Sequence, residues 1–581
     1  MCGFAAIFAH APDAAPADRD ALDRVRDTMR KRGPDAAGTW LSPDGRAGLA
    51  HRRLSILDLS DAGAQPMVDQ DLAIAFNGEI YNFQALRDEL EQAGTRFRSH
   101  SDTEVVLALY RRDGEAMLGR LRGMFALAIW DGRRQGMLLA RDGLGIKPLY
   151  VSEKGGVLRA ASQVKALLAG GGVDTSPDPA GHVGFFLWGH VPEPHTLYRG
   201  IRALPPGSWL WRDRNGGQRQ GRFFDLGDTL RGAGGEPPAS LRDALLESVR
   251  HHLVADVPVG LFLSAGLDST TLCALASEAG GAGRLKTVTL AFEELRGGPG
   301  DEAPLAERVA GHYRTDHATL TVAGREFADV RDTLLADMDQ PSIDGVNVWF
   351  VARAARAAGL KVALSGLGGD ELFAGYDNFR RIPALTRRLA PLAAVPGLGR
   401  GFRWATAGWI GRFTSPKAAG ILELGGNTGD AYLLRRGLFM PWELPGLIGA
   451  DMTRAGLAEL RPRQVLAEAQ RGFQSDRLAI SALEMQFYMR NQLLRDADWA
   501  GMAHSLEIRV PLVDTVLLSQ VRALIQTGNA PSKADMAASA RPTLPDGVLN
   551  RPKTGFFIPV AQWLGETSLR GWARRVHAAA R

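Results

Sequence analysis

Cysteine is scarce in this sequence, since only Cys2 and Cys273 among the 581 residues carry a thiol. Two thiols cannot form a disulfide framework or a four-thiolate zinc site. The histidines show no spacing typical of metal ligands, so we expect no structural metal ion. Cys2 directly follows Met1, and this position needs an explanation of its own.

Long hydrophobic runs and a strong excess of one charge are also missing. No stretch approaches the ~20 apolar residues of a membrane-spanning helix, and the N-terminus lacks a basic segment followed by a long apolar one. The 69 Lys and Arg residues nearly balance the 64 Asp and Glu residues. The basic cluster from Arg380 to Arg388 is interpreted as a solvated helix face. We therefore expect a cytoplasmic protein with no membrane partner and no nucleic-acid partner.

The length predicts more than one domain, and the first part, to residue 215, is predicted to be mixed α and β. Short apolar runs there end at Asn-Gly or Asp-Gly pairs, a pattern typical of buried strands closed by turns. The predicted strands include 72–76, closed by Asn77-Gly78, and 124–130, closed by Asp131-Gly132, and the predicted helices include 83–93 and 102–112.

Residues 216–238 are rich in glycine, proline and charge, and we predict a linker there between domains at 2–215 and 239–581. Beyond it, apolar strands at 257–263, 287–292 and 361–364 alternate with helical patterns, as in a doubly wound parallel sheet. From residue 380 onward the pattern is mostly helical.

Cys2 would carry both a thiol and a free α-amine if Met1 were removed. An α-amine with an unperturbed pKa near ~8 is a suitable base for the adjacent thiol. The alternative is an incidental cysteine in a frayed terminus, and position alone does not decide between the two.

Several motifs in the first 200 residues bear on that choice. The motifs are Met1-Cys2-Gly3, Arg32-Gly-Pro-Asp35, His51-Arg-Arg-Leu-Ser-Ile56, Phe76-Asn-Gly-Glu-Ile-Tyr-Asn82, Ser101-Asp-Thr-Glu104 and Arg141-Asp-Gly-Leu-Gly-Ile-Lys-Pro-Leu-Tyr150. In their order and composition they resemble the N-terminal-nucleophile glutaminase domain of class II glutamine amidotransferases, which implies an αββα sandwich fold.

This resemblance implies that the Cys2 thiol attacks the side-chain amide of glutamine. The Asn77 side chain and the Gly78 backbone N–H would form the oxyanion hole, where each donor contributes about 3 kcal/mol. Arg53 would hold the α-carboxylate of glutamine, and Glu79 and Asp102 its α-ammonium group. Leu54 and Ile56 would complete the glutamine pocket.

Two turns in the second half combine small residues with acids. Ser264-Ala-Gly-Leu-Asp-Ser-Thr270 follows an apolar strand and opens a helix, so its backbone N–H groups can approach a phosphate. It is not a Walker loop, and Asp268 would tolerate phosphate only through a bridging Mg²⁺ ion. Leu364-Ser-Gly-Leu-Gly-Gly-Asp-Glu371 repeats the pattern. Both turns would face one crevice at the ends of parallel strands.

Further motifs accompany these two turns, namely Asp256-Val-Pro-Val-Gly260, Gly375-Tyr376, Met502-Ala-His-Ser-Leu-Glu-Ile-Arg-Val-Pro511 and Arg551-Pro-Lys-Thr-Gly-Phe556. Together the turns and motifs resemble the ATP-pyrophosphatase (PP-loop) domain of asparagine synthetases. The resemblance implies ATP and Mg²⁺ as cofactors, and glutamine and a carboxylate as the other substrates. The implied ATP-binding residues are Leu263, Ser264, Gly266, Asp268, Ser269, Leu290, Ser365, Gly366, Asp370 and Lys553, with Asp268 and Asp370 sharing Mg²⁺.

Three positions depart from that family. Ala265 replaces a common glycine, Leu367 stands where a glutamate is common, and Trp499 stands where a basic residue is common. A leucine cannot bind an ammonium group or a carboxylate, so either the acceptor pocket is built differently or the substrate is not aspartate. The resemblance implies amidation of aspartate to asparagine through an acyl-adenylate, and the alternative acceptor is another carboxylate such as a sugar uronic acid. Asp344 and Asn347 could suit either.

Other functions remain less favoured. A β-lactam synthetase-like activity would not need Cys2, and a non-catalytic scaffold would not need intact acids in both turns. The sequence does not decide whether the protein forms a homodimer.

Overall fold

The computed structural model describes residues 2–232, 237–280, 284–551, 563 and 569–580. Seventeen strands in these ranges form three sheets. The strands are β1 (Gly3–Ala9), β2 (Ala36–Leu41), β3 (Ala47–Arg53), β4 (Met67–Asp69), β5 (Leu72–Ile80), β6 (Gly123–Asp131), β7 (Gly136–Arg141), β8 (Tyr150–Lys154), β9 (Val157–Ala161), β10 (Arg202–Ala203), β11 (Ser208–Asp213), β12 (Gln218–Arg222), β13 (Val259–Phe262), β14 (Lys286–Phe292), β15 (Asp316–Val322), β16 (Val362–Leu364) and β17 (Glu507–Arg509).

The helices surround these sheets and form most of the chain after β16. They are α1 (Arg19–Thr28), α2 (Phe83–Gln92), α3 (Asp102–Asp113), α4 (Val164–Gly170), α5 (Pro179–Trp188), α6 (Leu226–Arg231), α7 (Leu241–His252), α8 (Leu267–Ala279), α9 (Ala303–His312), α10 (Gly324–Asp337), α11 (Val346–Ala357), α12 (Gly369–Leu372), α13 (Asn378–Ala393), α14 (Leu398–Thr406), α15 (Ile421–Leu424), α16 (Thr428–Arg436), α17 (Pro445–Ile448), α18 (Ala450–Leu460), α19 (Pro462–Ala469), α20 (Asp476–Leu483), α21 (Arg495–Met502), α22 (Thr515–Gln526), α23 (Lys533–Ala537), α24 (Asp546–Leu549) and α25 (Leu569–Ala579). A π-helical segment, Glu484–Leu494, joins α20 to α21.

The first half is a sandwich of two antiparallel six-stranded sheets, ordered β10-β8-β9-β1-β3-β2 and β12-β11-β7-β6-β5-β4. Side chains alternate along β1, where Phe4 and Phe8 point between the sheets and Ile7 points outward against α1 and α4. The other sheet is covered by α2 and α3. The predicted αββα sandwich is therefore confirmed, and β1 is apolar throughout because both of its faces are buried.

The prediction of a turn at Asn77-Gly78 is wrong. These residues lie inside β5, where Asn77 is opposite Ala126 and Gly78 is opposite Phe125 in β6. A Cβ on Gly78 would lie 2.1 Å from the Met124 carbonyl oxygen, so only glycine allows this approach of the two strands. The Asp131-Gly132 turn is confirmed, because it connects β6 to β7.

The structure also differs from the predicted linker at 216–238. Within that range β12 pairs with β11 at the edge of the second sheet, and α6 packs against α20 and α22. The sequence of β12 contains arginine and glutamine but no apolar residue, so it was not predicted to be a strand. It is exposed at the edge of its sheet. Residues 233–236 lie outside the described residues.

The second half contains a five-stranded sheet ordered β15-β14-β13-β16-β17, in which every neighbouring pair is parallel. This confirms the predicted doubly wound arrangement. The turns after β13 and β16 lie at the same end of adjacent strands, because the strands are parallel neighbours. Most of the described chain after β16 is helical, as predicted. In the described part of the chain, no helix is long and apolar enough to cross a membrane.

Candidate active sites

Cys2 lies at the start of β1 and is buried, with 8% of its surface exposed. Its backbone N–H donates to the Asn77 side-chain oxygen over 3.0 Å. Burial raises the pKa of the Cys2 thiol, while a hydrogen bond from the Leu54 backbone acts in the opposite direction. The thiol therefore needs a base when it reacts, because burial alone favours its protonated form.

Asn77 faces Cys2 from the neighbouring sheet and is completely buried. The Asn77 Nδ2 group has no hydrogen-bond partner among the described residues. A buried amide donor without a partner costs free energy unless a ligand accepts from it. Asn77 Nδ2 is thus a donor available to a substrate oxygen beside the Cys2 thiol.

The other predicted glutamine-binding residues surround the same place. Arg53 donates to the carbonyl oxygens of Leu57, Asp58 and Ser60, so its guanidinium group orders the loop after β3. Asp102 begins α3 and accepts from the Ile80 backbone N–H over 2.9 Å. Burial raises the pKa of Asp102 to about 6.

Leu54 and Ile56 pack against Val362 and Met502 of the second half. The Ile56 carbonyl also accepts from the Asp256 backbone N–H over 2.9 Å. The wall of the predicted glutamine pocket is therefore built on the domain interface.

An ion pair that joins the two halves lies directly behind Cys2. Arg32 Nε donates to the Cys2 carbonyl oxygen over 3.0 Å, and its two terminal nitrogens donate to Asp498 over 2.7 and 3.0 Å. Both side chains are buried. Arg32 belongs to a motif that the sequence analysis noted, but its partner on α21 was not predicted, because only the fold brings them together.

Further buried charges connect β17 with the predicted glutamine site. Arg509 lies 3.5 Å from a carboxylate oxygen of Glu79 and 2.5 Å from one of Glu507. Burial, with Glu507 nearby, raises the pKa of Glu79 well above its ordinary value. Lys147 is also buried near Glu507 and Asp498, and burial lowers its pKa. Sequence reasoning assigned no role to Glu507 or Arg509, although both lie in a motif it quoted.

The second site is a cavity of about 290 Å³ at the ends of β13, β14 and β16. The two acid-bearing turns meet there, since a Cβ on Gly366 would lie 2.9 Å from the Asp268 Cβ. Gly266 is the N-cap of α8 beside the cavity, and Lys553 lies outside the described residues. Eight of the predicted ATP-binding residues line it: Leu263, Ser264, Asp268, Ser269, Leu290, Ser365, Gly366 and Asp370.

Asp268 and Asp370 converge on a lysine that sequence reasoning missed. Lys533 Nζ contacts Asp268 and lies 3.0 Å from an Asp370 oxygen. A Cβ on Gly375 would lie 2.5 Å from the Lys533 Cε, so glycine leaves room for this side chain. Lys533 is one of nine lysines in an arginine-rich chain. The rarity of lysine is the one feature of the sequence that could have pointed to this residue.

The carboxylates of Asp268 and Asp370 are placed so that they could bind one divalent cation. They lie beside the cavity and reach one point, which Lys533 occupies, and Mg²⁺ prefers one or two carboxylates completed by phosphate oxygens and water. Lys533 shows that a cation is accommodated there.

The cavity is also lined by Asn347, Leu367, Glu371 and Tyr376. Glu371 accepts from the Tyr376 hydroxyl over 2.8 Å, and burial, with Asp370 nearby, raises its pKa to about 7. No lysine or arginine is among the described residues that line the cavity.

Asp344, which was considered for the acceptor, and Trp499, which departs from the family pattern, are not among the described residues that line the cavity. Asp344 accepts from the Gly345 backbone N–H over 3.0 Å. Trp499 is buried and donates to Asp496 over 2.7 Å. Burial, with Asp344 nearby, raises the pKa of Asp496 to about 8.

Strand β17 separates the two sites. Ile508 lines the cavity, while its neighbours Glu507 and Arg509 point the other way because side chains alternate along a strand. Arg509 reaches Glu79, which is predicted to bind glutamine. The two sites therefore lie on opposite faces of one strand.

Comparison with known proteins agrees with this architecture. The glutamine amidotransferase domain family matches residues 1–224, and the asparagine synthase family matches residues 240–581. Glutamine-hydrolyzing asparagine synthetase 1 of Bacillus subtilis (strain 168) is 32% identical and covers 99% of this chain and 90% of its own length. Asparagine synthetase B of Escherichia coli (strain K12) is 36% identical over 66% of each chain. Amidase chry2 of Gibberella zeae is 32% identical over 65% of this chain and 60% of its own.

The fold, the paired sites and these matches define a glutamine-dependent carbon–nitrogen ligase that uses ATP. The chain belongs to the family of glutamine-hydrolysing asparagine synthetases.

Proposed function

We propose that this enzyme hydrolyses glutamine at Cys2 and passes the ammonia to the cavity beyond β17, where ATP activates aspartate for conversion to asparagine. The observation that carries the proposal is the position of β17, with the glutamine site on one face and the ATP-site cavity on the other. Ammonia is mostly protonated at neutral pH, so a short route that avoids bulk water favours its transfer in the reactive form.

In the glutaminase half, the Cys2 sulfur forms a bond to the side-chain carbonyl carbon of glutamine. The oxyanion that develops would accept hydrogen bonds from Asn77 Nδ2 and the Gly78 N–H. Collapse of this adduct releases ammonia and leaves a thioester on Cys2, which water then hydrolyses to glutamate. The open Nδ2 donor of Asn77 supports this role, and Arg32 would hold the Cys2 backbone in place.

In the synthetase half, a carboxylate oxygen of the acceptor attacks the α-phosphorus of ATP, and pyrophosphate leaves. Ammonia then attacks the resulting acyl-adenylate, forming the amide and releasing AMP. Mg²⁺ held by Asp268 and Asp370 would neutralise phosphate charge when bound. Lys533 would turn from these carboxylates toward the departing pyrophosphate, and Lys553 is proposed for the same task.

Glu371 is suited to receive a proton from the attacking ammonia. It lines the cavity, and its pKa of about 7 allows both protonation states near neutral pH. Tyr376 fixes one carboxylate oxygen of Glu371 by its hydroxyl.

A second candidate acceptor is a carboxylate other than aspartate, such as a sugar uronic acid. The cavity lining supports it, because Leu367 and Asn347 offer no charge and the described lining contains no cation for an α-carboxylate. A relative named as an amidase also occurs among the matches.

The test is pyrophosphate and AMP release by the purified enzyme with ATP, Mg²⁺ and glutamine, with and without each acceptor, and product identification by mass. Aspartate-dependent pyrophosphate release with asparagine as product supports the first candidate. Glutamine hydrolysis without any effect of aspartate contradicts it, and stimulation by glucuronate or galacturonate then identifies the second.

A further inference from the structure

One segment of the helical part combines exposed large hydrophobic residues with positive charge. The described residues include ten exposed large hydrophobic side chains, and six of them lie between 392 and 413. Trp404 is 87% exposed and Phe413 is 80% exposed. The six are Leu392, Val395, Leu398, Trp404, Trp409 and Phe413.

The charge of the same segment is entirely positive. Residues 378–422 contain eight Lys and Arg residues and no Asp or Glu, whereas the whole chain has a net charge of only +5. Arg387, Arg388, Arg400 and Arg412 are exposed and form no ion pair with the described residues. These four arginines and the six hydrophobic side chains are named the basic aromatic patch.

The hydrophobic side chains on α14 are exposed because the opposite side of this helix is packed on the protein. Gly399 fixes α14 against the chain near Glu423, since a Cβ there would lie 2.6 Å from the Glu423 Cα. Arg403 pairs with Glu423 over 2.5 Å. With that side of α14 packed on the protein, Leu398 and Trp404 remain at the surface.

We propose that the basic aromatic patch docks this enzyme on the surface of a membrane that contains anionic phospholipids. Trp and Phe are suited to the boundary between headgroups and acyl chains, and clustered Arg residues attract anionic lipids. A nucleic acid would match the arginines, but it offers no apolar layer for Leu392, Val395 and Leu398. This departs from the expectation of no membrane partner, without requiring a spanning helix.

The patch is connected to the ATP-site cavity by one helix. Helix α13 begins two residues after Tyr376, which lines the cavity, and its 16 residues span about 24 Å. Its second half carries Arg387, Arg388 and Leu392 of the patch. Docking would therefore hold the cavity close to the bilayer. The inference does not depend on which carboxylate is the acceptor.

The test is flotation of the full-length protein with vesicles of phosphatidylcholine alone or mixed with phosphatidylglycerol, at low and high salt. We expect binding to the mixed vesicles that weakens with salt. Arg387→Glu/Arg388→Glu should reduce the partition coefficient by about 25-fold or more, because each basic residue near an anionic surface contributes about five-fold. Arg96→Glu/Arg325→Glu, at two exposed arginines elsewhere, is the charge-matched control.

The hydrophobic part is tested with Trp404→Ser/Phe413→Ser, against Val68→Ser/Leu549→Ser as a control at exposed positions elsewhere. Loss of vesicle binding in the first variant and its retention in the control support the proposal. Equal binding by all variants, or no wild-type binding at low salt, refutes it.

Two other outcomes assign the patch to a different partner and also refute the proposal. One is a wild-type oligomer in sedimentation that Trp404→Ser/Phe413→Ser converts to a monomer, with no vesicle binding by either protein. The other is tighter binding to single-stranded DNA than to the mixed vesicles. Circular dichroism and ammonia-dependent synthesis show whether each variant is folded.

Discussion

The Arg32–Asp498 ion pair should support both the stability of the enzyme and the glutaminase reaction, and the two roles can be separated. The perturbations are Arg32→Met, Asp498→Leu and the double variant. The pair is bidentate and buried, with N–O distances of 2.7 and 3.0 Å, and Arg32 also donates to the Cys2 carbonyl.

Each single variant leaves one buried charge without its partner, which costs about 3–5 kcal/mol. The double variant replaces both charges with apolar side chains of similar volume, and such replacements are often neutral. We therefore expect a favourable coupling free energy of about 3 kcal/mol or more in the double-mutant cycle. The double variant should recover most of the free energy of unfolding.

The double variant should recover stability without recovering glutaminase activity. Both Arg32→Met and the double variant lack the hydrogen bond to the Cys2 carbonyl, so the Cys2 backbone loses its anchor. The assays are urea unfolding followed by circular dichroism, and glutamate release from glutamine. Ammonia-dependent synthesis provides a readout that does not use Cys2.

Arg122→Met is the matched control, because Arg122 also joins the two halves through a buried pair, at 2.8 Å from Asp514. It should lose stability while keeping a larger share of glutaminase activity than Arg32→Met. A coupling free energy below about 0.5 kcal/mol would refute the stability argument. Full glutaminase activity in the double variant would refute the positioning role of Arg32.

Three other predictions follow from the two sites. Cys2→Ala should abolish glutamine-dependent synthesis and spare ammonia-dependent synthesis, measured as amide product; retention of glutamine-dependent turnover would show that Cys2 is not the nucleophile. Lys533→Met should lower kcat for pyrophosphate release by at least about 100-fold with either nitrogen source, because it removes a charge from the phosphate site; an effect on glutamine hydrolysis alone would contradict this assignment. The free energy of unfolding of Asp496→Asn should exceed that of wild type by a growing margin as pH rises from 5 to about 8. The folded carboxyl, with a pKa of about 8, keeps its proton to a higher pH than the unfolded carboxyl, whose pKa is near ~4, so wild type loses stability between these values. A difference in unfolding midpoint that does not change with pH would contradict it.

The sequence predicted those parts of the fold that depend on local pattern. The strand at 124–130, the helix that begins at Asp102 and the turn at Asp131-Gly132 all depend on neighbouring residues, and the structure has the corresponding elements. The polar edge strand β12 carries no apolar pattern, and it was interpreted as part of a linker. The Asn77-Gly78 pair is common in turns, but the tight approach of β6 requires this glycine within a strand.

The candidate sites were predictable from motifs, but their connections were not. The two turns that hold Asp268 and Asp370 have a recognisable composition, and the structure brings them together. Lys533 has no such local signature, because its role depends on a side chain that reaches across from α23. The Arg32–Asp498 pair spans 466 positions in the sequence, and only folding creates it.

The packing of Leu54 and Ile56 on Val362 and Met502 has a consequence for dissecting the enzyme. A fragment ending near residue 232 would keep its sandwich core and Cys2, yet one side of its predicted glutamine pocket would open to solvent. The complementary fragment would expose the apolar surface that supports this pocket and would leave Asp498 without Arg32. Each half thus depends on contacts with the other. Two fragments made by cutting the chain between them should hydrolyse glutamine only when they are recombined.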